Sequence, residues 1–152
     1  MGRSRPCSGS RRAVLAPPAG PCRRHVLVAA GLSFLLGLGI NQVILHFVQR
    51  LRPYDAGVSR LLVERSADFS FTSDYATAGI AIAAAFLIHR LTPQGLVFLA
   101  AAVLVAVSRV YSGTHYLGDN LGGALTDVAA AATVRAAYRE GTRGDDLVTG
   151  IL

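Results

Sequence analysis

Residues 26–48, VLVAAGLSFLLGLGINQVILHFV, form an apolar run long enough to span a bilayer. Backbone placed in hydrocarbon must satisfy its own N–H and C=O groups, so this run is expected to be a helix. Gly31, Gly37 and Gly39 would let a neighbouring helix approach closely. Asn41, Gln42 and His46 are polar within the run and should face a protein interior, a cavity or, for His46, the interface. Three further apolar runs follow: residues 74–91, residues 96–107 continued by Ser108-Arg109, and residues 116–138. The expected fold is all-α, an integral-membrane four-helix bundle core. Gly118 and Gly122 would give the fourth helix a small-residue face, and Asp127 would lie inside it at a depth where charge is costly. The competing architecture is an Ala-rich soluble bundle. Hydrophobic residues make up 52% of the chain, charged ones only 16%, and mean hydropathy is +0.44, which favours the membrane.

The chain divides into three parts on this reading. Residues 1–23 are rich in Pro, Gly, Ser and Arg and are expected to be a disordered basic tail. Residues 24–140 hold the helical domain, and residues 141–152 form a polar C-terminal tail. The Arg pairs at 11–12 and 23–24 before an apolar run also resemble a twin-arginine export signal. No A-x-A type cleavage site follows, so an uncleaved anchor is expected. Cys7 and Cys22 lack metal-ligand spacing and read as incidental thiols. Arg52-Pro53 ends the first helix, because a residue before proline is pushed out of the α region. Residues 92–95, Thr-Pro-Gln-Gly, predict a tight turn between helices two and three.

Net charge is +6 and all fifteen basic residues are arginine. They sit at the ends of apolar runs instead of forming a stripe with aromatics, so no nucleic-acid partner is expected. Four spanning helices put both termini and the turn at 89–95 on one side, with ten arginines, and leave five on the other: 50, 52, 60, 65 and 109. The positive-inside rule then places the tails in the cytoplasm and the other polar connections outside a bacterial cell membrane.

Both outer connections carry chemistry. Between the third and fourth runs lies Ser108-Arg109-Val110-Tyr111-Ser112-Gly113-Thr114-His115-Tyr116-Leu117-Gly118-Asp119. With a helix starting near His115, residues i and i+4 share a face. Asp119 would then accept a hydrogen bond from one ring nitrogen of His115, fixing the tautomer and leaving the other nitrogen basic. An oriented imidazole is a nucleophile or base, and the planar fork of Arg109 suits phosphate oxygens. Thr72 or Ser73 would cap the second helix, whose free N–H groups form an anion seat.

The spacing SRxxxxxHxxxD resembles the third signature of the type 2 phosphatidic acid phosphatase superfamily, matched by Ser108, Arg109, His115 and Asp119. Arg52-Pro53 resembles the end of its first signature, KxxxxxxRP. Residues 71–76, Phe-Thr-Ser-Asp-Tyr-Ala, resemble its second, PSGH, in a PSDH variant. Asn41-Gln42 and Ser70-Phe71 resemble the bacterial undecaprenyl-diphosphate phosphatases. The resemblance implies a lipid phosphatase that works without metal or other cofactor. His115 would attack phosphorus, Asp119 would hold its ring, and Arg52, Arg109, Ser73 and the helix-two N–H groups would bind phosphoryl oxygens. A lipid phosphate in the membrane would be the substrate.

The sequence departs from the family at three places. The first-signature Lys falls at Leu45, with His46 and Arg50 the nearest cations. The second-signature Pro is Thr72. Its His, which would protonate the leaving oxygen, is Tyr75. The family also has helices upstream of residue 26, so a homo-oligomer or a partner supplying helices is one expectation. A phenol with a pKa of about 10 is poorly matched to donating a proton at neutral pH. Tyr75 therefore favours a diphosphate, whose leaving phosphate is a weak base, over a monoester. The alternative is a catalytically weak or inactive member that binds phosphate headgroups. A vanadate-dependent haloperoxidase shares the signatures but is expected to be larger and soluble, with the missing Lys and His in place.

Overall fold

A computed structural model describes residues 20–62, 70, 74–139, 142 and 145, without the side chains of 20–22 and 74–77. Four helices follow in order: α1 Gly20–Phe47, α2 Asp74–Ile88, α3 Thr92–Tyr111 and α4 Leu117–Ala137. Helix α2 packs against all three others, and α1 and α4 pack against each other. Helix α3 leans mainly on α2. Short connections join α2 to α3 and α3 to α4, whereas the one from α1 to α2 is long.

The core between the helices is built of small side chains, among them Ala29, Ala30, Ala81, Ala83, Ala85, Ala102, Ala130 and Ala131. Small residues bring backbones close, which drives helix association where hydrophobic exclusion from water is absent. A Cβ on Gly79 would lie 2.9 Å from that of Ala102, fixing the α2–α3 approach. A Cβ on Gly37 would run into the carboxylate of Asp127 on α4. Asp127 thus faces the bundle, buried where α1 and α4 meet. Beside it the hydroxyl of Thr126 donates to Asn41 Oδ1 at 2.6 Å. Gly31 and Gly39 meet nothing within 4 Å, so of the three α1 glycines expected at a helix contact only Gly37 makes one.

The outer faces are apolar. Leu27, Leu35, Val43 and Phe47 on α1 and Leu96, Val97, Leu104 and Val107 on α3 are all exposed. So much exposed hydrocarbon is foreign to a soluble monomer. Residues Arg23–Phe47 and Thr92–Tyr111 are long and apolar enough to cross a membrane, whereas Ala78–Ile88 is shorter.

Two boundaries differ from expectation. Helix α1 begins at Gly20, inside the stretch expected to be tail, and Pro21 falls in its first turn, where a missing N–H costs nothing. Thr92-Pro93-Gln94-Gly95 is the first turn of α3 and not a free turn, because proline pre-sets a helix start as readily as it sets a turn. The reversal comes just earlier, at Arg90, whose φ is +61°.

One end of the bundle gathers the start of α1, the end of α2 and the end of α4. His25 Nδ1 donates to Asp145 Oδ1 at 2.8 Å, and Tyr138 donates to the same oxygen at 2.7 Å. The His25 ring stacks on Tyr138 and meets His89 edge-on. The opposite end carries Arg52, Ser70, Arg109 and His115.

Candidate active site

The site is assembled by two polar connections locked onto each other. Past α1, the chain turns at Arg52, whose carbonyl accepts from the N–H groups of Asp55 and Ala56, both at 3.0 Å. It then runs back across the α3–α4 loop. The Ser59 hydroxyl donates to the Gly113 carbonyl at 3.1 Å, and Leu62 N–H donates to Ser112 O at 3.3 Å. Gly113 has a φ of +75°, and a Cβ there would lie 2.8 Å from both Arg60 O and Ser59 Oγ. Only glycine fits this crossing without strain. The loop is braced internally by Thr114, whose N–H and hydroxyl both donate to Arg109 O, at 3.2 and 3.0 Å.

This bracing delivers His115 to a buried position, 6% exposed. Its Nδ1 lies 2.7 Å from the backbone carbonyl of Ser70. A carbonyl only accepts, so Nδ1 carries the proton and Nε2 keeps its lone pair. No other residue among those described bonds the ring. Burial is the largest influence on the imidazole and lowers its pKa below the ordinary 6.5; the Ser70 bond opposes it. The charge of Arg52 lowers it, that of Asp119 raises it, and that of Arg109 lowers it again. The ring is therefore held toward the neutral, nucleophilic form. Arg52 is only 8% exposed, and its Nη1 donates to Thr114 O at 3.5 Å.

Asp119 makes no direct hydrogen bond to the ring. Helix α4 starts at Leu117 with Tyr116 as its N-cap, so His115 lies before the helix and the i, i+4 relation fails. Asp119 is the third helical residue and folds back to accept the Tyr116 N–H at 3.0 Å, one arm of a capping box. Its carboxylate, 0% exposed, also accepts from the Ser70 hydroxyl at 2.5 Å and from Arg50 Nη1 at 3.0 Å. The link from Asp119 to His115 runs through Ser70, which bonds the one by its hydroxyl and the other by its carbonyl.

The structure thus brings together Arg52, Arg109, His115 and Asp119 from the expected set. Ser73 and the side chain of Tyr75 lie outside the described residues, as does Thr72. Ser70 and Arg50 join the site without having been selected as site residues. Serine just before the second signature was visible in the sequence, but nothing local assigns its carbonyl to an imidazole 45 positions on. Among the described residues no group of three or more His, Cys, Asp or Glu is placed to hold a metal ion. The arrangement offers an imidazole nitrogen with a free lone pair near two guanidinium groups, which suits attack on an anionic electrophile.

Similar proteins carry related names. The chain is 33% identical over 104 residues to the putative undecaprenyl-diphosphatase YbjG of Escherichia coli, covering 68% of this chain and 52% of that protein. It is 37% identical over 100 residues to the undecaprenyl-diphosphatase BcrC of Bacillus subtilis, covering 66% and 51%. Phosphatidylglycerophosphatase B of Bacillus subtilis is 36% identical over 107 residues, covering 61% and 50%. The chain spans about half the length of the curated relatives it matches. The fold is shared with the first transmembrane PAP2 type phosphatidylglycerolphosphate phosphatase from Bacillus subtilis, solved by crystallography. The TM-score is 0.53 at 24% identity, covering 88% of this chain and 84% of that one. The family model described as the PAP2 superfamily matches residues 26–143. That span takes in the two arginines, the buried imidazole and the capping carboxylate, and the chain belongs to this superfamily.

Proposed function

We propose that the chain is a membrane lipid phosphatase that removes phosphate from a polyprenyl diphosphate through a phosphohistidine. The observation that carries this reading is the tautomer of His115: Nδ1–H is committed to the Ser70 carbonyl while Arg52 and Arg109 lie close enough to depress its pKa. Nε2 attacks phosphorus, and the bond from phosphorus to the bridging oxygen breaks. Lipid monophosphate leaves, and water then attacks the phosphohistidine, freeing inorganic phosphate and the imidazole. Arg52, Arg109, Ser73 and the first N–H groups of α2 neutralise the phosphoryl oxygens, the preorganised stabilisation on which phosphoryl transfer depends. The chemistry needs no metal.

The leaving group sets the substrate class. A general acid contributes roughly 10²–10⁴ in rate, and Tyr75 stands where the family has histidine. A lipid alkoxide needs that proton, whereas a lipid phosphate, with a second pKa of about 6 by analogy with phosphoserine, leaves without it. Names of relatives that include undecaprenyl-diphosphatase agree with this choice. The arginine distribution supports a site on the outer face of the membrane with the tails in the cytoplasm.

A second reading is a family member that binds phosphate headgroups with little or no turnover. Leu45 and Tyr75, in place of the family's Lys and His, favour it. Phosphate release from undecaprenyl diphosphate by the purified chain, with His115→Ala as control, separates the two. Release abolished by the substitution supports the enzyme. Binding without release supports the headgroup reader.

A further inference from the structure

Arg50 lies two residues before Arg52 yet is used differently. Its Nη1 donates to Asp119 Oδ1 at 3.0 Å, and its guanidinium carbon lies 4.0 Å from the centre of the Tyr116 ring. A Cβ on Gly118 would lie 3.8 Å from the same nitrogen. Arg50 thus lies across the start of α4, stacked on the capping residue and bonded to the carboxylate that closes the cap. Its backbone carbonyl accepts the Ser70 N–H at 2.9 Å. Every polar group of Ser70 is then taken: N–H by Arg50, hydroxyl by Asp119, carbonyl by His115.

These bonds form a closed loop. The Arg50 side chain holds Asp119, Asp119 holds the Ser70 hydroxyl, Ser70 holds the imidazole, and the Arg50 backbone holds Ser70 from the other side. A fully buried carboxylate without a counter-charge is costly, so the guanidinium also keeps Asp119 in place. Arg52 and Arg109 are among the charges acting on His115, whereas the Arg50 guanidinium is bonded to Asp119. Arg50 is 47% exposed over its side chain, yet the one side-chain hydrogen bond described for it is to Asp119. This is the placement of a brace and not of a phosphate clamp.

We propose that Arg50 is a positioning residue that sets the His115 ring through Asp119 and Ser70, and does not stand in for the missing first-signature lysine as a phosphate ligand. The inference rests on the reading of His115 as nucleophile, and its test separates the two. The first measurement is the ¹⁵N spectrum of the His115 ring in the full chain in detergent micelles, compared with Arg50→Gln and Arg50→Lys. The unaltered chain shows a single Nδ1–H tautomer at neutral pH. Arg50→Gln brings in the Nε2–H form, and Arg50→Lys, which keeps a charge for Asp119, suppresses it. An unchanged tautomer in Arg50→Gln overturns the proposal. The second measurement is kinetic. Arg50→Gln lowers kcat between about 10- and 100-fold, the scale of a mis-set nucleophile, with KM within about twofold. In an Asp119→Asn background the same substitution adds less than about twofold, because the brace is already broken. A rise in KM at constant kcat, or full additivity with Asp119→Asn, overturns it. Circular dichroism verifies that each variant keeps its helices; if Arg50→Gln does not fold, Arg50→Lys and Asp119→Asn carry the same comparison. If the unaltered chain releases no phosphate, the enzymatic reading falls and the tautomer alone decides this inference.

Discussion

Replacing Asp119 with alanine removes three contacts at once, and their sizes can be set from their surroundings. The carboxylate closes the α4 cap by accepting the Tyr116 N–H, a kind of contact whose loss costs about 1 kcal/mol. It also satisfies the Ser70 hydroxyl, which is fully buried. An orphaned buried hydroxyl costs about 1–3 kcal/mol. The third contact, to Arg50, lies at a half-exposed side chain that water can reclaim, so it contributes below about 1 kcal/mol. Asp119→Ala is therefore expected to destabilise the fold by about 2–5 kcal/mol, with the hydroxyl as the largest share. Reversible unfolding in mixed micelles of increasing dodecyl sulfate content measures it. Adding Ser70→Ala to Asp119→Ala removes the orphan and should restore about 1 kcal/mol or more. A loss below about 0.5 kcal/mol for Asp119→Ala, or a double variant less stable than the single, would refute the assignment of the carboxylate to these partners.

Other consequences are open to measurement. His115 has its pKa lowered by burial, so the folded chain binds fewer protons than the unfolded one. Its stabilising contribution is full above the unfolded value of 6.5 and is lost as pH falls through the lower folded value. The acid limb of kcat/KM should lie below pH 6.5, and Arg52→Gln should move it to higher pH as well as raising KM; a rate profile that leaves the limb in place contradicts the charge argument. Gly37→Ala should destabilise by about 1–3 kcal/mol, because the new methyl meets a buried Asp127 carboxylate. Gly39→Ala on the same helix meets nothing and should be neutral or stabilising by up to about 1 kcal/mol, as read by the same micellar unfolding. Tyr75→His should speed hydrolysis of a lipid monophosphate more than that of a diphosphate, and equal gains on both would count against the leaving-group argument.

The four helices were legible because apolar runs bounded by polar residues permit little else, although only those of α1 and α3 reach spanning length. Arg109 and His115 were readable from residue type and spacing, and Arg52 from the resemblance of Arg52-Pro53 to a family signature. The partner of the His115 ring was not readable. The i, i+4 rule applies only within a helix, and the competing use of Asp119 as a cap moved the helix start past Tyr116. Ser70 acts through its backbone carbonyl, a group every residue has, so no side-chain pattern can mark it. Arg50 looked like a spare cation because its partner lies 69 positions away. Thr92-Pro93 carried two valid meanings, turn and helix start, and the apolar residues after Gly95 selected the second. Asp127 gave no hint of its neighbour until Gly37 was seen to leave room for it.

The most direct measurement of the central claim is a search for phosphate on the imidazole. Purified chain is mixed with undecaprenyl diphosphate carrying ³²P in its terminal phosphate, quenched in base within the first turnover, and digested for peptide mapping. The account predicts acid-labile label on the peptide containing His115, lost within the time of a turnover and absent in His115→Ala. Sustained phosphate release by His115→Ala, or label residing on any other side chain, would contradict it.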